Sequence, residues 1–230
     1  MNEIEQRLGN INSQIRQAEL AAGRDKGCVQ LLAVSKTKPV ADIAAAYQLG
    51  QRHFGESYVQ EALKKQQALE TYDISWHFIG PIQSNKTKAI ATHFNWVHSV
   101  DRLKIAKRLS EQRPEDLPAL NICLQINISG EATKSGVLLD ELPQLIEEII
   151  NLPNIQLRGV MAIPEPQTDY EMQRKPYQQL FQAVKQLNRP ELDTFSFGMT
   201  GDLKAAIAEG STIVRIGTAL FGARSYPQNS

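Results

Sequence analysis

Residues 31–50, LLAVSKTKPVADIAAAYQLG, contain the unit that decides the fold, a short apolar strand pattern followed directly by a helix pattern. The strand part alternates its side chains between two faces, and Pro39 ends the pairing because proline has no N–H for a ladder. In the helix part, Asp42 falls in the first turn, where a carboxylate is favourable, and Gly50 is a C-terminal stop. This stretch therefore predicts one βα unit.

The same rhythm continues along the chain, without a low-complexity stretch or a charge-block linker. An amphipathic helix is predicted near residues 2–22, and DRLKIAKRLS is a later helix pattern opened by Asp101. Strands are predicted near residues 30–35, 52–55, 75–79, 95–98, 120–127, 155–162, 194–197 and 212–216. Eight βα units favour an α/β fold with one closed (β/α)8 TIM-type barrel over residues 1–230. The nucleotide-binding motif Gly-x-Gly-x-x-Gly does not follow the first strand, which also favours the barrel over an open sheet. An open doubly wound sheet is the alternative.

Composition describes an ordinary soluble globular protein: 230 residues, 42% hydrophobic, 22% charged and a formal net charge of +0. With balanced charge and a pI near 6.9, neither a nucleic acid nor an anionic membrane is expected as a partner. Cys28 and Cys123 lack the spacing of a zinc or dithiol motif and are expected to be buried free thiols. The chain shows no signal-like segment and no apolar run long enough to span a bilayer, so the expected location is cytoplasmic.

Lys36 is the first candidate functional residue because it shares a strand face with the core residues Leu32 and Val34. A lysine between apolar walls loses the hydration that favours its ammonium form, and its free amine can then attack an aldehyde to form a Schiff base. The alternative is a strand-end lysine whose stem packs while its head reaches water.

The loop after strand seven is the second candidate, since the loops after strands seven and eight of such barrels commonly hold phosphate groups. Strand seven ends in FSFGMTGD (195–202), where Gly198 and Gly201 free the backbone. Thr200 or Asp202 can cap the helix that follows, and the exposed N–H groups at a helix start favour an anion.

The end of strand eight, VRIGTALFG (214–222), adds a phosphate position and a cation. Gly217 and Thr218 offer backbone donors and a hydroxyl just after the strand. Arg215 alternates with its strand neighbours, and if it points into the barrel it needs a partner such as a carboxylate or the nitrogen of a heteroaromatic cofactor. Together with Lys36, these residues describe a cradle for pyridoxal 5'-phosphate (PLP).

Long motifs in the same order show that the chain resembles the YggS/PROSC family of PLP-binding proteins, which are related to the barrel domain of bacterial alanine racemases. The resemblance covers nearly the whole chain. It is carried by LLAVSKTKP (31–39), HFGESYVQEA (53–62), WHFIGPIQSNKTK (76–88), QINISGEATKSG (125–136), LRGVMAIP (157–164), FSFGMTGDLKAAIAEGS (195–211) and VRIGTALFGAR (214–224).

The resemblance implies a fold-type III PLP barrel with a defined set of cofactor contacts. Lys36 is the expected Schiff-base lysine, and Arg215 is expected to face the pyridine nitrogen. The remaining cofactor-binding positions are Ser57, Met199, Thr200, Gly217 and Thr218. Two positions depart from the family pattern, since the family usually has Asn where Ser57 stands and Ser where Thr200 stands. Both departures keep a polar group.

An arginine beside the ring nitrogen cannot readily protonate it, so the ring stays largely neutral and is a poor electron sink for carbanions. Related racemases add a second base from a C-terminal domain, whereas this chain ends at Ser230 and offers one obvious base, Lys36. By resemblance, the expected role is to hold, buffer and deliver PLP to apo-enzymes, as a monomer, in vitamin B6 and amino-acid homeostasis. The alternatives are a small amino-acid racemase and an unrelated phosphosugar enzyme.

Other polar residues carry weaker expectations. The four histidines, His53, His77, His93 and His98, show no metal-ligand spacing and are expected to be packing or surface residues, so no metal is predicted. Lys134 either reaches the site or is a solvated loop lysine. The carboxylates Glu56, Glu61, Glu147 and Glu148 are interpreted as helix-surface charges.

Overall fold

The computed structural model describes residues 3–130 and 135–223, and within them eight parallel strands close into a barrel. The strands are β1 (Gln30–Val34), β2 (His53–Glu56), β3 (Ser75–Phe78), β4 (Trp96–Val100), β5 (Leu120–Ile126), β6 (Ile155–Ala162), β7 (Thr194–Ser196) and β8 (Ile213–Ile216). Each strand pairs with the next, and β8 returns to pair with β1. The predicted barrel is therefore confirmed, and the open doubly wound sheet is excluded.

A helix follows every strand, as the sequence predicts. The helices are α1 (Glu3–Ala21), α2 (Val40–Gln48), α3 (Val59–Ala68), α4 (Thr87–His93), α5 (Leu103–Gln112), α6 (Leu142–Ile149), α7 (Tyr170–Gln186), α8 (Leu203–Ala208) and α9 (Thr218–Phe221), and a short 3-10 turn (Ser84–Lys86) precedes α4. The extra N-terminal helix α1 buries a stripe of apolar residues with helical spacing, Ile4, Leu8, Ile11, Ile15 and Ala18, and packs against α8 and α9.

Two predicted helix ends can be compared with the structure. Gly50 lies just after α2 with φ 96°, a left-handed conformation that suits glycine, so the predicted stop is confirmed. Asp101 does not open α5. Arg102 occupies the cap position, and its side chain cannot cap the helix because a guanidinium has no acceptor. The Asp101 carboxylate forms an ion pair with Arg102 at 2.7 Å.

The alternation of β1 and β8 places different residues in the two layers of the barrel. Leu31 and Ala33 belong to the apolar core between strands and helices. Leu32 lies inside the barrel, where its Cδ2 atom would be 3.4 Å from a Cβ atom placed on Gly55 of the neighbouring strand. Arg215 is paired in register with Leu32 across the β1–β8 seam. The inward rows of these two strands therefore run side by side toward the C-terminal mouth.

Candidate functional site

One cavity at the C-terminal mouth of the barrel brings together all seven residues predicted to bind a cofactor. Its volume is about 210 Å³, at the small end for ligand pockets, so a small ligand is expected. The lining residues are Val34, Lys36, Lys38, Ser57, Ile79, Ile163, Met199, Thr200, Arg215, Gly217, Thr218 and Gly222. They come from the ends of six strands and the loops that follow, where barrel enzymes carry their sites.

Lys36 lies two residues beyond the end of β1 and is half-buried rather than fully buried. Its position continues the inward row of Leu32 and Val34, as the alternation predicts. Val34, Ile79 and Ile163 supply apolar surface in the same cavity. The cavity that receives the Lys36 side chain therefore has apolar surface in its wall, as the strand pattern predicts.

A buried polar cluster lies behind Lys36, on the outer side of β1. The Lys65 ammonium donates to the backbone oxygen of Ser35 at 2.7 Å, to Glu56 Oε1 at 2.8 Å and to Glu61 Oε1 at 2.6 Å. The Ser35 hydroxyl also donates to Glu56 Oε1, at 2.6 Å. Glu56 is fully buried, so the prediction of a helix-surface charge was wrong for this residue. This cluster fixes the residue that precedes Lys36.

Glu61 fixes the residue that follows Lys36. Its Oε1 accepts the backbone N–H of Thr37 at 2.5 Å. Thr37 has φ 64°, a left-handed conformation that costs free energy in a non-glycine residue and needs support from its surroundings. Glu61 on α3 was expected to be a surface charge, but it instead holds the turn that aims Lys36.

Arg215 is the second charged group of the cavity and is almost completely buried. Its Nη1 donates to the backbone oxygen of Ser196 and, at 2.8 Å, to Ser196 Oγ. Its Nη2 donates to the backbone oxygen of Ala162 at 3.0 Å. Over residues 3–130 and 135–223 Arg215 has no carboxylate ion-pair partner, and burial lowers the pKa of its guanidinium. The permanent cation is therefore held by neutral groups beside the cavity.

The loop after β7 presents Met199 and Thr200 to the cavity, and both residues are exposed. Asp202 stands at the cap position of α8, as predicted, but its carboxylate does not bond the helix. Instead, Asp202 Oδ1 accepts the Met199 N–H at 2.7 Å, and Asp202 Oδ2 accepts the buried Tyr177 hydroxyl at 2.6 Å. The turn that carries Thr200 is thus fixed from inside the protein.

The loop after β8 passes close to β1 and starts α9 at Thr218. A Cβ atom placed on Gly217 would lie only 3.2 Å from the Val34 backbone oxygen. Glycine, which lacks this atom, therefore lets the loop after β8 pass close to the end of β1. Ser57, just after β2, is held by a second close approach. A side chain on Gly80 would begin 2.2 Å from the Ser57 backbone oxygen. Backbone contacts therefore set the width of the cavity.

The sequence prediction missed one charged lining residue, Lys38. This side chain is mostly buried, and its Nζ donates to the backbone oxygen of Ala223 at 2.6 Å. Strand alternation could not have identified it, because Thr37 turns the chain between the two lysines. The cavity therefore contains two amines.

The histidines are packing or surface residues, as expected, but the sequence did not indicate that three of them lie together inside the barrel. His53 Nδ1 is 3.0 Å from His77 Nε2, and His77 Nδ1 is 2.9 Å from His98 Nε2. Burial lowers the pKa of His77 well below its ordinary value and, together with nearby Arg215, lowers that of His98 to about 3. His93 is exposed at the end of α4, as expected.

The remaining sequence predictions have mixed outcomes. Cys123 is a buried free thiol whose pKa is raised to about 12 by burial, whereas Cys28 is only half-buried. Glu147 and Glu148 are exposed on α6, as predicted. Lys134 lies outside the described residues. Within those residues, no group of three or more His, Cys, Asp or Glu side chains could hold a metal ion, and no helix is long and apolar enough to cross a membrane.

Fold and site define a class of barrel in which a lysine after the first strand and an arginine in the last strand face one cavity. In agreement, residues 7–225 match the family model described as alanine racemase, N-terminal domain. The alanine racemase of Corynebacterium glutamicum has the same fold with a TM-score of 0.63 and 17% sequence identity, and this chain spans 62% of that protein's length.

Full-length relatives identify the family more narrowly. The chain is 58% identical to the pyridoxal phosphate homeostasis protein of Pseudomonas aeruginosa, over 98% of each chain, and 50% identical to that of Escherichia coli, over 98% of this chain and 99% of the relative. The structure of PipY from Synechococcus elongatus with PLP bound has 36% identity and a TM-score of 0.83, over 95% of this chain and all of that one. The chain belongs to the family of pyridoxal phosphate homeostasis proteins.

Replacing Lys65 tests the buried cluster behind Lys36. Lys65→Met should lower the free energy of unfolding by about 3–5 kcal/mol, because it leaves the buried Glu56 carboxylate without its cation. Urea unfolding measures this loss. Lys64→Met is the matched control, since Lys64 is exposed on the same helix, and it should change the free energy by less than about 0.5 kcal/mol. Equal losses in the two variants would contradict the assignment.

The buried imidazoles predict a loss of stability in mild acid. The pKa of His98 is about 3 in the folded protein, whereas an unfolded histidine has a pKa of about 6.5. Falling pH therefore favours the unfolded chain, and His98 alone should account for about 2 kcal/mol of lost stability between pH 7 and pH 5. Urea unfolding at both pH values measures the free energy of unfolding that is lost on going from pH 7 to pH 5. This loss should be smaller in His98→Asn than in the wild-type protein, and in His93→Asn it should equal that of the wild type. A wild-type stability that is equal at pH 7 and pH 5 would contradict this prediction.

Proposed function

We propose that this protein binds PLP at the mouth of its barrel and holds, buffers and delivers the cofactor rather than turning over a substrate. The observation that carries the proposal is that the seven residues predicted from the sequence line one cavity. The names of the relatives and the PLP-bound PipY structure support the same ligand. Delivery to apo-enzymes, the monomeric state, the single domain and the cytoplasmic location are further parts of the proposal that rest on the sequence.

The residues of the cavity fit the chemistry of PLP, which supplies an aldehyde carbon and an electron-accepting ring. Lys36 is proposed to hold the cofactor covalently through that aldehyde, with the release of one water molecule. Arg215 would direct its charge to the ring nitrogen, since neutral groups are its partners inside the protein. Thr200, Gly217 and Thr218 would hold the phosphate with hydroxyl and backbone donors at the same mouth as Lys36.

The same cavity supports a holding role over catalysis. A guanidinium does not give up its proton, so Arg215 would leave the ring nitrogen of a bound PLP unprotonated and would make the ring a weaker electron sink. The described lining residues include no tyrosine, histidine, cysteine or carboxylate that could act as a second base opposite Lys36. Lys38, the other amine, already donates to the backbone of Ala223.

Spectroscopy and labelling test the proposed ligand. Protein mixed with PLP should gain a visible absorption band, and borohydride reduction should fix the cofactor on Lys36 in a peptide map. Lys36→Ala should lose the covalent link but retain weaker binding, because Arg215 and the two phosphate loops remain. A colourless wild-type protein after incubation with PLP, or a label on another lysine such as Lys38, would count against the proposal.

Chiral chromatography distinguishes holding from racemisation. With D- or L-alanine and other amino acids, turnover by the PLP-loaded protein should be negligible beside that of a dedicated racemase assayed in parallel, because the described cavity lining offers no second base. Heat-denatured protein mixed with PLP is the control for reaction caused by the free cofactor. Sustained conversion of any one enantiomer above that control would instead favour the racemase alternative.

A further inference from the structure

A chain of hydrogen bonds crosses the barrel from Arg215 to the far end of β2. Arg215 Nη1 lies 2.8 Å from Ser196 Oγ, which lies 2.8 Å from His98 Nδ1. His98 Nε2 is 2.9 Å from His77 Nδ1, and His77 Nε2 is 3.0 Å from His53 Nδ1. Ser196, His98 and His77 are fully buried, whereas His53, the first residue of β2, is half-buried. We call these four residues, Ser196, His98, His77 and His53, the interior relay.

One direction of the hydrogen bonds satisfies every buried donor of the interior relay. A guanidinium has donors and no acceptor, so Ser196 Oγ must accept from Arg215. Among the described residues, the other partner of this hydroxyl is His98 Nδ1. If Nδ1 carried a proton, the buried hydroxyl hydrogen would have no acceptor, so we assign Nδ1 as its acceptor. His98 then carries its proton on Nε2 and donates to His77 Nδ1. By the same reasoning, His77 carries its proton on Nε2 and donates it to His53 Nδ1. Ser75 Oγ also lies 3.3 Å from His77 Nε2.

Such a chain stabilises a cation at its start. Each hydroxyl or imidazole turns its acceptor toward Arg215 and its donor away, and aligned hydrogen bonds in a low-dielectric interior polarise one another. Burial lowers the pKa of His77 and His98, so both rings remain neutral beside the guanidinium. The Trp96 ring, stacked on His77 with centroids 5.5 Å apart and an angle of 6°, also restrains the relay.

The chemistry of Arg215 decides between two roles for the relay. A proton wire needs a terminal group that releases its proton to the cofactor, and a guanidinium does not. An orienting role needs fixed acceptors on one side of the guanidinium, and Ser196 supplies two of them, Oγ and its backbone oxygen. The hydrogen-bond pattern therefore favours orientation over proton delivery.

We propose that Ser196, His98 and His77 are positioning residues for the cofactor, because they hold Arg215 with its charge directed at the ring. The inference rests on the proposed function and extends it to residues that do not line the cavity. It also implies that the electronic state of the bound ring depends on side chains of β3, β4 and β7, on the far side of Arg215 from the ligand.

Cutting the relay at its first link tests this role. Ser196→Ala removes one acceptor of Arg215 while changing little volume, so the PLP-loaded variant should show a displaced visible absorption band and a dissociation constant about 2- to 10-fold higher. His98→Asn should have a smaller effect, since its amide oxygen can still accept from Ser196. Ser211→Ala is the control, because Ser211 is a buried serine that donates to the backbone oxygens of Phe195, Phe197 and Ile213 rather than to Arg215 or a residue of the relay.

The outcomes separate this inference from the proposed function. If wild-type protein binds PLP and Ser196→Ala has the same band and dissociation constant, the positioning role is overturned alone. If wild-type protein does not bind PLP, the proposed function falls, and the positioning role falls with it. Nitrogen NMR of the histidine rings in the protein without PLP gives an independent readout. His98 and His77 should carry their protons on Nε2, and a proton on His98 Nδ1 would overturn the inferred direction.

Discussion

Pairing of β1 with β8 closes the barrel, and its register is the constraint on which the cavity depends. Leu32 pairs with Arg215 and Ala33 with Ile216, so inward residues of one strand lie beside inward residues of the other. If the pairing register of β8 shifted by one residue, the Arg215 side chain would face the apolar layer between the strands and the helices, where a cation is very unfavourable. The same seam explains Gly217, since the loop after β8 contacts the backbone of Val34.

Lys36 and Arg215 depend on two separate buried networks. Lys36 lies between two residues that are anchored by Glu56, Glu61 and Lys65 on the outer side of β1. Arg215 is anchored by neutral acceptors inside the barrel. Buried polar groups are tolerated only when they are hydrogen-bonded, so both networks also fix orientation. Glu56 Oε2 has no hydrogen-bond partner in the described protein, and burial raises the pKa of this carboxyl.

The charged side chains of the cavity wall determine which kind of ligand the site suits. The described cavity wall presents two amines and a guanidinium, and carboxylates are absent from it. Such a wall suits an anionic ligand with an aldehyde and a ring nitrogen, and it offers little assistance to repeated proton transfer. Membership of the pyridoxal phosphate homeostasis family agrees with this reading, while the likeness to alanine racemases at 17% identity concerns the fold alone.

The sequence by itself predicted the eight βα units and the extra helix, because strand alternation and turn glycines are local patterns. Together with the family motifs, it also predicted seven of the residues that line the cavity. It did not identify the role of Glu56, which looks like any charged residue beside a helix, or the relay through His77 and His98. Those roles depend on contacts between residues that are far apart in sequence, such as His98 with Ser196. Only closure of the barrel brings β3, β4, β7 and β8 close enough for their inward side chains to meet, so the tertiary structure alone decided which buried polar groups became partners.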